Sequence, residues 1–207
     1  MTVVIKKQTL RDRRKKETRK HLLDTAIRMM REQGFEALTV EAIAAAADVG
    51  KGTIYNYFRT KEDIVVAFFV DLERTVQRKV AKWSSKDESL AGTLTSFLEF
   101  QFRFKRPYYP FVRIFFTQMF ARPEQMYPYI VELQPIIDTP LILLFQSLQQ
   151  RQLLRSDVSM DLLVLNFKTI HFGLSAIWAL EGPPWKAASA ALPAQVQLFC
   201  DGLQEHS

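Results

Sequence analysis

Apolar residues in this chain recur at intervals of three and four almost from end to end, and no stretch sustains the strict alternation of a half-buried strand. No Asn-Gly or Asp-Gly turn joins two alternating runs. The pattern restricts the fold to all-α. It is broken at Gly34, at Asp48-Val49-Gly50, at "SSKDES", at Arg106-Pro107, at Arg122-Pro123, at "RSDVS" and at "EGPPW". These separators predict a first helix from Asp12 to Gln33, stopped by Gly34, and a short second one, "VEAIAAAA", capped by Thr39 with Leu38 and Ile43 as a hydrophobic staple. A third begins near Lys51 and a fourth runs from Lys61 to about Trp83, roughly 33 Å at 1.5 Å per residue, long enough to bridge two domains. Further helices are expected over about 88–105, 107–120, 125–152, 159–181 and 193–205, the last opened by Pro193 at its first position.

Charge is unevenly divided along this frame. Residues 1–82 hold 18 Lys and Arg against 11 Asp and Glu, whereas residues 83–207 hold 10 against 11 and carry 19 of the 25 aromatics. A basic front half and a neutral, aromatic-rich back half suggest a polyanion-binding module joined to an apolar-core module. Cys200 is the only cysteine, so no intrachain disulfide forms, and its expected role is that of a small buried hydrophobe. The apolar run in "MTVVIKKQ" is far too short for a signal peptide, and "PLILLFQSL" is shorter than a membrane span. A soluble, cytoplasmic protein without a membrane partner is expected.

The stretch "VGKGTIYNYF" carries the strongest local signal. Rotated by about 100° per residue, Ile54 and Phe58 define the buried side of a short helix. Asn56 points directly away, Gly52 and Thr53 lie outside, and Tyr55 and Tyr57 flank them. The two glycines leave backbone N–H groups uncovered at a helix start, where anions are attracted. A short helix, a tight turn and a second helix with a polar outer face make a helix-turn-helix sized for the major groove. Taken alone, the same residues also suit an ordinary amphipathic surface. Lys61 follows the expected N-cap Thr60, where the helix dipole disfavours a cation by about 0.3–1 kcal/mol. Facing a phosphate would explain it, and so would simple solvation. "RDRRKKETRK" (residues 11–20) adds seven cations against two acids, which beside such a motif points to phosphate or minor-groove contact.

The segment "TRKHLLDTAIRMMREQGFEALTVEAIAAAADVGKGTIYNYFRTKEDIVVAF" resembles the N-terminal domain of the TetR (tetracycline-repressor-like) family of bacterial transcriptional regulators. The landmarks are "AIRMMREQGFEALTV", "IAAAADVGKGTIYNYF" and "TKEDI". The resemblance implies that Thr39 contacts phosphate and that Lys51, Gly52, Thr53, Tyr55, Asn56 and Tyr57 form the recognition face. Tyr55 and Lys61 would grip backbone. Lys51, Thr53 and Asn56 would reach base edges, asparagine pairing with adenine and lysine with guanine. Two positions depart from the family pattern: Asp48 stands where glycine is usual, and Gly50 where a serine often caps the recognition helix. The resemblance further implies a disordered basic arm at 1–10, a helix-turn-helix DNA-binding domain at 11–60, and a ligand-binding and dimerisation domain at 61–207. Its partners would be a double-stranded DNA operator and a second copy of the chain.

In the back half, the helix over 159–181 carries two apolar stripes: Leu163, Phe167, Ile170, Leu174 and Ile177, and Leu162, Leu165, Phe172, Ala176 and Leu180. Both sides therefore need cover. A homodimer interface of Leu162, Leu165, Phe172, Ala176, Val196, Phe199 and Leu203 supplies it; a single-chain core burying both stripes is the alternative. The segment "FLEFQFRFKRPYYPFVRIFFTQMF" packs ten aromatics into 24 residues. Aromatics at helical spacing make ordinary core, but the resemblance implies a ligand cavity here. Its expected lining is Phe100, Phe104, Tyr108, Phe115, Met119, Phe167, His171 and Trp178, suited to a hydrophobic or aromatic small-molecule effector. No His/Cys/Asp cluster has metal spacing, and neither a glycine-rich phosphate loop nor a G-x-S-x-G elbow occurs, so no cofactor, no metal and no enzymatic activity are expected. The function expected is a homodimeric repressor released from a pseudo-palindromic operator by that effector. A DNA-bound structural or cell-division factor of the same fold, lacking an inducer, is the alternative. A membrane-surface role for the basic first helix leaves the recognition helix unexplained.

Overall fold

The computed structural model describes residues 9–82 and 89–203, and among these it contains α-helices and no strand. Two compact units meet in sequence between Phe68 and Phe69.

The first unit opens with α1, Leu10–Gln33. It starts two residues before Asp12 because Thr9 closes a capping box: its side chain accepts from the Asp12 N–H, and the Asp12 carboxylate accepts from the Thr9 N–H. Of the expected disordered arm, residues 1–8 lie outside the described residues. Residues 10–17 of α1 are all exposed, whereas Leu22, Leu23, Ala26, Met29 and Met30 are buried. Gly34 stops the helix at φ 83°, a conformation that favours glycine, with its N–H on the Met30 carbonyl. Helix α2 (Val40–Ala46) has Thr39 as N-cap, its hydroxyl accepting from the Ala42 N–H at 3.1 Å, and the staple pair Leu38 and Ile43 is buried. Asp48 takes φ 53°, so this aspartate occupies the left-handed turn position directly. Helix α3 (Lys51–Tyr55) follows, and α4 (Lys61–Val80) begins in the first unit and ends in the second. Trp83, the expected end of α4, lies outside the described residues.

The second unit adds α5 (Leu90–Lys105), a 3₁₀ turn at Arg106–Tyr108, α6 (Tyr109–Ala121), α7 (Pro123–Gln150), α8 (Met160–Glu181) and α9 (Lys186–Asp201). Helix α8 packs against α6, α7 and α9, and α9 also packs against α5. Phe97, Phe145 and Phe167 are fully buried together, with the Phe145 and Phe167 rings 5.6 Å apart and nearly perpendicular. By length and composition α7 and α8 are each long and apolar enough to cross a membrane. In α8, however, Leu163, Phe167, Leu174 and Trp178 are buried core residues.

The last helix starts at Lys186, seven residues before the expected Pro193, which lies inside it. Two features start it early. Gly182 and Trp185 turn the chain at positive φ, and the Glu181 carboxylate accepts from the Ala187 and Ala188 N–H groups at 2.9 and 3.1 Å. Those hydrogen bonds, to Ala187 first, hold the Glu181 carboxyl below its usual range. Glycine is favoured at 182 by its φ of 75°, and an added Cβ would also lie 2.5 Å from the Tyr109 hydroxyl. Burial of Ala188, Leu192, Val196 and Cys200 carries the helix across Pro193. Burial also pushes the Cys200 thiol up to about 11.

Candidate nucleic-acid interface and ligand cavity

In the first unit, Ile54 and Phe58 anchor α3 in the core. Their burial turns the opposite face outward: Lys51, Gly52, Tyr55 and Asn56 are exposed, and Thr53 and Tyr57 are half-buried. Gly50 caps α3 without a side-chain hydrogen bond. Thr39 is exposed at the start of α2. The expected interface residues thus lie together, with two qualifications. The Tyr55 phenol donates to Glu41 Oε1 at 2.6 Å, so a phosphate must compete with Glu41 for that proton. This bond lowers the Glu41 pKa and raises that of Tyr55. Lys61 does not stand free at its helix start: its ammonium donates to the Phe35 and Glu36 carbonyls at 3.1 and 3.2 Å and lies 4.4 Å from the centre of the Phe35 ring. That arrangement is a brace on the link between α1 and α2. His21 acts similarly from α1, its Nε2 lying 3.0 Å from the Ala47 carbonyl oxygen. The charge of Lys61 was legible in sequence; the two carbonyls that hold it were not.

In the second unit, helices α4 to α8 line a cavity of about 280 Å³. Of the eight expected lining residues, Phe115, Met119, His171 and Trp178 border it. Phe167 instead belongs to the phenylalanine core, packed on Phe97, Phe145 and Phe199. Phe100, Phe104 and Tyr108 are not among the residues that border the cavity; the Phe104 ring lies beneath the Lys79 ammonium and tilted against Tyr108. Helix α5 presents Phe102 and Lys105 to the cavity, a face that its aromatic stripe did not indicate. Glu73 and Lys168 also reach the wall, and neither is conspicuous in sequence.

The expected dimer face is divided. Leu162 and Leu165 are 50% and 56% exposed, and Ile177, Leu180 and Leu198 extend the same apolar character at the surface. Ala176, Phe199 and Leu203 are half-buried. Val196 is fully buried in its own chain and cannot meet a partner; two residues on, the opposite face of α9 exposes Leu198. Phe172 is 44% exposed and also borders the cavity, its ring 5.6 Å from Phe116.

Residues 22–68, which contain the whole α2–turn–α3 arrangement, match the model of the bacterial regulatory proteins of the tetR family. Over those residues the chain is similar to the tetR family. The HTH-type transcriptional repressor DhaR of Mycobacterium sp. (strain GP1) is 39% identical to the chain over 62 residues, a match spanning 28% of this chain and 31% of DhaR. Solved structures resemble far more of it. FadR of Thermus thermophilus, a TetR-family repressor in complex with lauroyl-CoA, has a TM-score of 0.72 at 18% identity, covering 91% of this chain and 96% of its own. FadR of Bacillus subtilis, in complex with stearoyl-CoA, has a TM-score of 0.65 at 18% identity, covering 89% and 99%. At such identities the likeness extends the tetR-type fold through the second unit and says nothing further.

Proposed function

We propose that the chain is a ligand-responsive, DNA-binding transcriptional regulator, a homodimeric repressor that an apolar effector releases from a pseudo-palindromic operator. One observation carries this reading. The short helix α3 and the three residues after it hold Ile54 and Phe58 inward and turn Lys51, Thr53, Tyr55, Asn56 and Tyr57 outward behind a capped α2, inside a tetR-family domain. Such a face matches the donors and acceptors of base edges in the major groove. The exposed basic first turns of α1 supply phosphate attraction. Lys61 acts in this reading as the brace described above.

The exposed apolar stripe of α8, with Leu198 of α9, supports pairing with a second copy. Two recognition helices then read two half-sites. Effector binding is supported by the cavity and by the acyl-CoA ligands of the FadR neighbours. Helix α4 contributes Phe69 and Glu73 to the cavity wall and is separated from α3 by only five residues, so it is the element through which occupancy reaches the recognition helix. An effector lowers DNA affinity only by its preference for the non-binding conformation. A regulator of this kind works in the cytoplasm and is not an enzyme. Selection of bound duplexes from a randomised DNA pool, at near-physiological salt, tests the reading. A two-fold symmetric motif is expected; enrichment of DNA without any motif would overturn it.

A further inference from the structure

The cavity wall is not uniformly apolar. Among Phe69, Phe102, Phe115 and Phe116, the Lys105 ammonium pairs with Glu73 Oε1 at 2.6 Å, and these two side chains are only 5% and 2% exposed. Lys105 takes one carboxylate oxygen. The other, Glu73 Oε2, is buried and has no hydrogen-bond partner among the described residues, and the same holds for Nε2 of the buried His171. Buried polar atoms are nearly always paired, so two bare ones in one cavity wall mark what a ligand must carry.

Charge narrows the choice. Glu73 balances Lys105, and Lys168, which also borders the cavity, pairs with Asp138 at 2.7 Å. Burial, aided by the neighbouring Lys105 ammonium, pushes the His171 pKa down to about 3 and leaves its ring neutral. A carboxylate ligand would set a second anion against the bare Glu73 oxygen, and an ammonium would set a second cation beside Lys105. Both repulsions act at low dielectric. A neutral donor instead makes a charge-assisted bond to the carboxylate. A neutral imidazole nitrogen either donates or accepts, and a hydroxyl can do both at once.

We propose that the cavity selects an uncharged, mainly apolar ligand bearing a hydroxyl, phenolic or aliphatic, that donates to Glu73 Oε2 and accepts from the His171 ring. This rests on the ligand-responsive reading above and names the chemical class of its effector.

Calorimetric titration of the full-length chain with 4-propylphenol, propylbenzene, 4-propylbenzoate and lauroyl-CoA tests it. The phenol should bind roughly tenfold or more tighter than each of the others, the margin of one hydrogen bond to a charged group. His171→Phe, its fold checked by circular dichroism, should lower phenol affinity toward that of propylbenzene and leave propylbenzene binding intact. The double substitution Glu73→Met with Lys105→Met removes both charges without stranding either, and should erase the discrimination between phenol and propylbenzene. Equal binding of phenol and propylbenzene, or benzoate or lauroyl-CoA bound as tightly as phenol, overturns the hydroxyl assignment while leaving the effector reading standing. Binding of none of the four overturns the hydroxyl assignment and counts against an effector cavity as well, whereas the operator selection stands or falls separately.

Discussion

The Lys61 ammonium donates to the carbonyl oxygen of Phe35 at 3.1 Å, joining residues 26 apart in sequence. A second bond, to the Glu36 carbonyl at 3.2 Å, makes the lysine a two-point tie between the start of α4 and the link that precedes α2.

Replacing Lys61 by Met removes both bonds and is expected to cost about 1–2 kcal/mol of stability, read from the urea midpoint. The slope of DNA affinity against salt should stay unchanged. A slope smaller by about one would show that Lys61 neutralises a phosphate after all.

Asn56 is exposed immediately after the last turn of α3. Asn56→Ala should erase preference at one base pair per half-site, worth about 1–3 kcal/mol, with little effect on non-specific binding. Competition between single-base operator variants measures this. Undiminished discrimination at every position would remove Asn56 from the base-reading face.

Asp48 occupies φ 53°. Asp48→Ala should destabilise the first unit by about 1 kcal/mol, because Cβ is disfavoured there and alanine lacks the short polar group that eases it. Asp48→Gly should be neutral or stabilising, since relief of the steric cost offsets the added chain entropy. Thermal melts of the two variants give the ordering, and a more stable alanine variant would contradict it.

Leu162 and Leu165 stand on the exposed stripe of α8. If the homodimer proposed above pairs through this stripe, substituting both by Asp should leave a monomer in sedimentation analysis while far-UV circular dichroism is retained. A variant that remains dimeric places the interface elsewhere.

His171 ties stability to pH. Its folded pKa, depressed to about 3, lies below the unfolded value near 6.5, so between these limits the unfolded chain holds a proton that the folded chain lacks. Its contribution is complete above pH 6.5 and falls as pH drops through that window, by at most about 1.4 kcal/mol per unit. Comparing urea midpoints at pH 7.5 and 5.5, His171→Phe should lose less stability than the wild type. Equal losses would mean that His171 is not buried in its neutral form.

Much of the first unit was legible residue by residue. Gly34 as a stop, Thr39 as a cap with Leu38 and Ile43 beside it, and the inward pair Ile54 and Phe58 all stand where the sequence places them. The second unit was legible as helices but less so as surfaces. Pro193 reads as a helix start, yet a carboxylate at Glu181 opens α9 seven residues earlier. Phe97, Phe100 and Phe104 read as one stripe, yet α5 turns Phe102 and Lys105 to the cavity. Val196 reads as interface and is core, while Leu198 is exposed.

The sequence by itself determined the all-α class, most helix limits, the turn at Asp48-Val49-Gly50 and the outward face of α3. Each depends on groups within a turn or two of one another, where periodicity, capping and φ preferences act. Tertiary structure alone decided the partners of Lys61, the pairing of Glu73 with Lys105 and the division of aromatics between core and cavity. A helix pattern tells which of its sides is apolar, but which distant helix covers that side is settled only when the whole unit packs.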